Sequence, residues 1–261
     1  MTDWLDVPDP HLDPIVAASY DGSGTNELEL ASIEAAVSFL ADLAGEGPAL
    51  EFAIGTGRIA LPLSERGVAV QGMDLSQPML EQLQAKPGSE AINATLGDMT
   101  TTVLGDDFAV AYLVYNTIMN LRTQGAQVEC FTNASRQLRP GGRFVIEVMV
   151  PELRRLGAGE TILPFDLSPN HLGFDEYVDL VNQILLSHHF HIDGNRVRTS
   201  SPPFRYVWPA ELDLMAQLAG LELEHRWAGW DRSPFTGDST SHVSVWRKPS
   251  ESPAPTGSQP Q

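Results

Sequence analysis

Apolar residues recur at helical spacing from Leu28 to Leu43 and the run stops at Gly45, which predicts a helix leading into a first strand. The period then shortens. Ala49 to Ile54 is a short apolar run of strand type, Ile59 to Arg66 reads as a helix closed by Gly67, and Val68 to Met73 reads as a second strand that stops at Asp74. Ser76 is placed to cap a helix with Pro78 in its first turn, running to about Lys86. Ile92 to Leu96 predicts strand three and Phe108 to Tyr115 a strongly apolar strand four. Ala126 to Leu138 predicts a helix ended by Pro140 and two glycines, and Arg143 to Met149 a fifth strand.

Near-continuous apolar strands alternating with helices require a parallel sheet covered on both faces, because crossover helices are what connect parallel neighbours. The fold class is therefore α/β, doubly wound. In such sheets ligands bind beyond the carboxyl ends of the strands, where Gly55, Asp74, Asp98, Tyr115 and Met149 should gather. Past Pro151 the alternation stops. Strand-like chemistry on both sides of Asp193, Gly194 and Asn195 predicts a hairpin, and Leu163 to Trp208 reads as a small antiparallel lid. "PAELDLMAQLAGLEL" returns to helix and strand, and "SHVSVWRK" supplies a last strand. The expected organisation is an N-terminal arm (1–27), a core (28–150), a lid region (151–208), a closing helix and strands (209–248) and a disordered Ser- and Pro-rich tail (249–261).

Composition narrows the partners. A chain of 261 residues with 42% hydrophobic content can bury one sizeable core. Its formal charge of -18, with 16 Lys and Arg, repels phosphate backbones and argues against a nucleic-acid substrate. The start has no basic stretch followed by an apolar one, no apolar run approaches membrane-spanning length, and a single cysteine, Cys130, cannot form an intrachain disulfide. These features predict a cytoplasmic protein that does not enter membranes, and oligomeric state is not legible in them.

The stretch "ALEFAIGTGRIALPL", Ala49 to Leu63, carries the first chemistry. Gly55 and Gly57 sit where a strand becomes a helix, so the backbone can turn sharply and a ligand can lie against it. "GTGRIA" also satisfies the dinucleotide pattern G-x-G-x-x-G/A, with Asp74 at the distance of a ribose-binding acid, so a nicotinamide cofactor and a sulfonium cofactor compete. Three features favour the sulfonium. Glu51 lies inside strand one, an expensive place for a carboxylate without a positive partner. "LGDM" ends strand three with an acid beside an apolar residue, and "LRPGGRFVIE" sets a helix stop before strand five.

The E-x-A-x-G-x-G turn, the acid ending strand two, G-D-M and P-G-G occur in the order found in class I S-adenosylmethionine-dependent methyltransferases, which the chain resembles from about Leu50 to Val150. The resemblance implies a Rossmann-like, mostly parallel seven-stranded sheet with the lid inserted after strand five, and S-adenosyl-L-methionine as cofactor. It implies that Glu51 meets the methionine end, that Gly55 and Gly57 make room for it, and that Arg58 reaches its carboxylate. Asp74 would bind the ribose hydroxyls, Leu75 pack on the adenine, Asp98 take the adenine amine and the Met99 backbone the ring nitrogen. Tyr20, in "AASYD", resembles a tyrosine folded over the cofactor in small-molecule members.

Methyl transfer from a sulfonium is an in-line displacement, so the protein must mainly align the acceptor and exclude water. The acceptor is expected beside Tyr115, Asn116 and Glu147, under the lid, as a small organic molecule methylated on O, N or C. The Asn/Asp-Pro-Pro-aromatic motif of amide and exocyclic-amine methylases is absent at Tyr115, Asn116 and Thr117, which argues against nucleobases and glutamine side chains. Strand alternation puts Ile184, Leu186, His188, Phe190 and Ile192 on one face, so His188 is the candidate general base, against the alternative of a hydrogen-bonded core histidine. His189 and His191 share the other face and could chelate a metal with Asp193, but no fourth ligand is evident and no metal site is assigned. Phe204, Tyr206 and Trp208 alternate as lid packing or a stacking wall. An NAD(P)-dependent oxidoreductase and a non-catalytic metabolite-binding module are the alternatives.

Overall fold

The structure is a computed structural model that describes residues 4–21 and 27–250; most of the expected tail and part of the expected arm lie outside the described residues. A short helix α1 (Pro14–Ser19) precedes α2 (Glu27–Ala44), and the alternating region then runs β1 (Ala49–Phe52), α3 (Ala60–Glu65), β2 (Val70–Asp74), α4 (Gln77–Gln84), β3 (Asn93–Leu96), β4 (Phe108–Leu113), α5 (Gln124–Gln137) and β5 (Leu138–Met149). Five further strands follow: β6 (Ile162–Ser168), β7 (His171–Asp179), β8 (Ile184–Asp193), β9 (Arg196–Ser200) and β10 (Pro203–Arg205). Helix α6 (Pro209–Leu218), β11 (Glu222–Trp227) and β12 (Ser241–Arg247) close the chain.

The main sheet has the order β11-β12-β5-β4-β1-β2-β3. Strands β1 to β5 are mutually parallel and β12 enters antiparallel between β5 and β11. All residues of β1 and β4 are buried, as two-sided coverage of central parallel strands demands, whereas the edge strand β3 is partly exposed. One apolar layer under α5 and α6 contains Phe131, Phe144 and Trp246; the opposite layer under α2 and α3 contains Val37, Leu40, Ile59 and Tyr112. Cys130 is buried in the first layer, and burial pushes its thiol up, so it stays protonated and inert.

The second sheet, β10-β8-β7-β6 with β9 beside β8, is antiparallel and occupies the segment expected for the lid. Gly194 and Asn195 form the two-residue turn between β8 and β9, with Gly194 at φ 56°. Tyr177, Leu185 and Tyr206 bury themselves in the α5/α6 layer and dock this sheet on the core. Among the described residues no helix is long and apolar enough to cross a membrane.

Three boundaries differ from the sequence expectation. Strand β4 stops at Leu113 because Tyr115 and Asn116 adopt φ of 55° and 61°, which ends extended pairing. Helix α5 starts two residues before Ala126, capped by the Thr123 hydroxyl, which accepts from Ala126 N at 3.1 Å. Pro140, Gly141 and Gly142 lie within β5 as an irregularity in its pairing with β4, not in a separating loop. A Cβ at Gly142 would stand 2.8 Å from the Phe108 carbonyl oxygen, so only glycine lets the strands approach there.

Candidate active site

The turn after β1 is held by one carboxylate. Asp74, at the end of β2, accepts from Gly55 N at 2.7 Å through Oδ2 and from Ser76 N at 2.8 Å through Oδ1. Burial raises its pKa, against the two amide bonds that lower it. A Cβ at Gly55 (φ 55°) would meet nothing nearer than the Ala53 carbonyl oxygen at 4.0 Å, so the missing side chain leaves open room. Ala53 itself has φ 53°, a left-handed conformation that costs an alanine strain.

That room is part of a cavity at the carboxyl ends of β1, β2 and β3, lined by Tyr20, Ala53, Gly55, Asp74, Leu75, Gly97, Asp98 and Met99. Six of the residues expected to hold the cofactor thus come together: Tyr20, Gly55, Asp74, Leu75, Asp98 and Met99. Asp98 is oriented by Thr100, whose amide and hydroxyl both donate to its Oδ1 at 2.7 Å.

Three others do not line it. Glu51 is buried in the sheet, where its Oε2 accepts from the Tyr112 hydroxyl at 3.0 Å. Burial pushes its carboxyl well up, with Asp74 adding to the effect and Tyr112 and the Ala60 amide opposing it. These bonds, from a neighbouring strand and from the start of α3, hold Glu51 behind the cavity wall. The room expected at Gly57 (φ 78°) is corrected, since a Cβ there would stand 2.3 Å from Leu83 Cδ1 and the absent side chain is what admits α4. Arg58 stands over the rings of Tyr20 and Tyr115, at 4.9 and 5.3 Å, and donates to the Tyr20 carbonyl at 3.3 Å.

The arm before α2 supplies residues that no periodicity signalled. Asp9 and His11 line the same cavity. Asp9 Oδ1 lies 2.8 Å from His11 Nδ1 and also accepts from His11 N at 2.9 Å. The hydrogen bond to Asp9 raises the His11 pKa, against burial. Burial opposes the reciprocal effect on Asp9, but its bonds to His11 hold its carboxyl below the ordinary range. The arm is pinned: Arg122 donates to the carbonyls of Trp4 and Val7, and the Ser76 hydroxyl donates to the His11 carbonyl at 2.6 Å.

A second cavity, of about 700 Å³, adjoins the first and shares His11, Tyr20, Thr117 and Asn120 with it. It opens between the main sheet and the second sheet and is lined by Tyr115, Asn116, Glu152, Phe165, Asp175, Ser187, His189 and Phe204, among others. Its size is that of small-molecule sites. Tyr115 and Asn116 therefore face the space expected for the acceptor. Glu147 does not: its Oε2 accepts from Tyr115 N at 2.9 Å and its Oε1 from Trp230 Nε1 at 2.8 Å. It clamps the strained residue after β4, and its expected role toward the acceptor is corrected accordingly.

His188 is corrected as well. Leu185, Ser187 and His189 form the cavity-facing side of β8, so His188 points away, with Nε2 3.1 Å from Glu176 Oε2 and Nδ1 2.8 Å from Ser201 Oγ. His189 faces the cavity instead, and burial, with His171, His191 and His188 nearby, holds its pKa at about 4. Of the aromatics Phe204, Tyr206 and Trp208, Phe204 lines the cavity while Tyr206 is buried in the core.

A family profile described as a methyltransferase domain matches residues 49–142. The chain is similar to the cypemycin N-terminal methyltransferase of a Streptomyces species, with 27% identity over 200 residues, 75% of this chain and 81% of that protein. Its fold matches the CcbJ methyltransferase of Streptomyces caelestis with a TM-score of 0.80 and 35% identity over 90% of this chain and 96% of that one. It also matches CalS10, an amino pentose methyltransferase of Micromonospora echinaspora solved with S-adenosylmethionine bound, with a TM-score of 0.67 and 20% identity over 90% and 96% of the respective chains.

The burial of Glu51 has a measurable consequence. Its folded pKa lies above its ordinary value, so the native state keeps a proton that the unfolded chain releases, and stability falls as pH rises from about 4.5 toward the folded value. Glu51→Gln keeps an acceptor for Tyr112 and removes the ionisation. Denaturant unfolding of the ligand-free protein should show the variant gaining on wild type as pH increases from 4.5 to 8. A difference that does not vary with pH would refute the assignment.

Proposed function

The chain belongs to the class I S-adenosylmethionine-dependent methyltransferases, with S-adenosyl-L-methionine as its cofactor, and from that premise we propose that it methylates an amine of a small organic acceptor held between the two sheets. The nicotinamide alternative, which shares the glycine turn and Asp74, falls with that membership. A non-catalytic module falls with it.

The residues of the smaller cavity suit the cofactor. Gly55 leaves open room at the turn, Asp74 has its carboxylate fixed by two amides at the end of β2, and Asp98 stands beside Met99 at the end of β3. In this reading Asp74 takes the ribose hydroxyls, Leu75 packs on the adenine, Asp98 takes its amine and the Met99 backbone its ring nitrogen. Tyr20 covers the site from the arm, and Arg58 holds Tyr20 in place. When bound, the cofactor supplies an electrophilic methyl on a positively charged sulfur, displaced in line by a nucleophile.

The observation that carries the choice of an amine is the polar make-up of the larger cavity. Its walls mix aromatic and apolar side chains with polar ones in about equal share, and the polar groups include Asp175 and His11, which lies where the two cavities meet and is bonded to Asp9 in the smaller one. Glu152 is paired with Arg155 at 2.8 Å, which leaves Asp175 as the carboxylate available to a cation. Burial raises the Asp175 pKa, with Ser187 opposing it through a hydrogen bond. An ammonium partner would offset that penalty. The relatives' names point the same way, since an N-terminus and an amino pentose both carry an amine.

An ammonium has no lone pair to donate. His11, made more basic by Asp9, takes a proton from the bound ammonium, and Asp175 holds the acceptor so that the exposed lone pair lies toward the cofactor cavity. After displacement the nitrogen carries the methyl and one positive charge, and His11 returns its proton to solvent before the next turnover. We assign the reaction to the cytoplasm, where its cofactor S-adenosylmethionine is made available to soluble enzymes and a single cysteine is ordinary.

Three measurements test this reading. With purified protein and cofactor, primary and secondary amines on sugar or peptide-like scaffolds should yield methylated product by mass spectrometry; transfer confined to hydroxyl or carbon acceptors would exclude it. Asp74→Ala should weaken S-adenosylmethionine binding by about 1–3 kcal/mol in calorimetry, through loss of a paired acceptor. Undiminished affinity would mean that Asp74 does not hold the ribose. Because the bond to Asp9 raises His11, the acidic limb of kcat/KM should lie above the ordinary histidine value of 6.5 and move to lower pH in Asp9→Asn. A limb that stays in place would remove His11 from proton transfer.

A further inference from the structure

A second cluster lies on the second sheet, outside the groups that hold the cofactor or handle protons. Strands β7 and β8 pair with His171 opposite His191, and His189 precedes His191 by two residues, so all three rings rise from one face. Ring centroids are 4.5 Å apart for His171 and His191, 5.2 Å for His171 and His189, and 6.1 Å for His189 and His191. One ring nitrogen from each lies within 4.8 Å of the other two. His171 Nε2 and His189 Nδ1 stand 3.0 Å apart, close to the roughly 3.3 Å expected between two nitrogens on one tetrahedral zinc ion at 2.0–2.1 Å.

We propose that His171, His189 and His191 form a binding site for a divalent cation of the zinc type, with one coordination position left open toward the acceptor cavity. Imidazole nitrogen suits zinc and its neighbours in the first transition row, and calcium and magnesium prefer oxygen. Three protein nitrogens leave the fourth tetrahedral position to water or a substrate atom. His189 and Ser187 line the acceptor cavity, so that position lies at its edge.

The surrounding groups are those a metal site needs. Asp166 Oδ2 lies 2.7 Å from His171 Nδ1, the carboxylate–imidazole pairing that fixes a ligand ring and directs its other nitrogen, Nε2, to an ion. Ser187 Oγ lies 3.2 Å from His189 Nε2 and leaves Nδ1 to ligate. Phe165 covers the rings of His171 and His189, with centroids at 6.2 and 5.4 Å, as an apolar shell. Asp193, the third ligand that sequence spacing offers, stands opposite Arg196 at the hairpin turn and outside the cluster; the third nitrogen comes from His171 on the neighbouring strand instead.

The site is tested on the untagged full chain, stripped with chelator and titrated with Co²⁺ and Zn²⁺ in the absence of acceptor, which separates its outcome from that of the amine reading. One equivalent should bind, with the visible absorption of tetrahedral cobalt, and azide should change that spectrum by entering the open position. His171→Ala and His191→Ala should each weaken binding at least tenfold, and Asp166→Asn about 10- to 100-fold, while His225→Ala should leave it unchanged. A zinc-soaked crystal of the unaltered protein should show an anomalous peak among the three rings, which decides the matter should a variant misfold. Absence of stoichiometric binding, equal affinity in a folded His171→Ala, or a peak elsewhere would overturn the site. An unchanged spectrum with azide would overturn its open position.

Discussion

The carboxylate of Asp74 ties together parts of the chain that are far apart in sequence. Through one oxygen it accepts from Gly55 and fixes the turn after β1; through the other it accepts from Ser76. The Ser76 hydroxyl in turn caps α4 by accepting from Met79 N at 3.2 Å and donates to the His11 carbonyl. Turn, strand end, helix start and N-terminal arm are thus one hydrogen-bonded chain. A buried carboxylate is costly unless its lone pairs are satisfied, and the amides that satisfy this one are those that shape the cavity. The arm adds its own anchor, since Asp21 pairs with Lys86 at 2.7 Å and accepts from the Thr56 hydroxyl at 2.9 Å.

Glu147 does comparable work at the acceptor side. Tyr115 and Asn116 are consecutive non-glycine residues with positive φ, a conformation that costs on the order of 1–3 kcal/mol per residue unless the surroundings hold it. Glu147 takes the Tyr115 amide, and the Asn116 side chain accepts from Met149 N at 2.6 Å. Both restraints come from β5, so the strain is balanced by the neighbouring strand. An acid near the carboxyl end of a strand suggests a ligand contact in the sequence; here it supports the backbone that makes one.

The core of the fold was legible because its strands are uniformly apolar and its helices carry local punctuation such as Ser76, Pro78 and Gly67. The acids at the ends of β2 and β3 were legible for the same reason: a strand boundary fixes their place. Which face of β8 meets the cavity was not. Ile184 and Leu185 are both buried, so the apolar pattern does not choose a parity, and a shift of one residue exchanges His188 for His189. Asp9 and His11 were invisible for another reason. Their segment has no periodicity, and its position depends on bonds to Ser76 and Arg122, more than sixty residues away. The partner of Glu51 was not legible either, because the Tyr112 hydroxyl lies on a different strand.

The second sheet gains its position from a buried polar network as well as from Tyr177, Leu185 and Tyr206. Arg205, at the end of β10, donates to Gln127 on α5, to Gln183 at 2.9 Å and to Glu211 on α6 at 2.6 Å. Gln127 returns bonds to the carbonyls of Ile118 and Arg205, at 3.1 and 3.2 Å. A buried guanidinium satisfied on several sides adds orientation more than stability, because removing it from water offsets much of its attraction to Glu211. Orientation is what the acceptor cavity requires. One wall comes from the main sheet through Tyr115 and Asn116, the other from the second sheet through Asp175 and His189, and for the acceptor proposed above a displacement of one by an ångström would spoil the alignment with the cofactor. The network at Arg205 stands at the root of the second sheet, where it restrains β8 and thereby the distance between those walls.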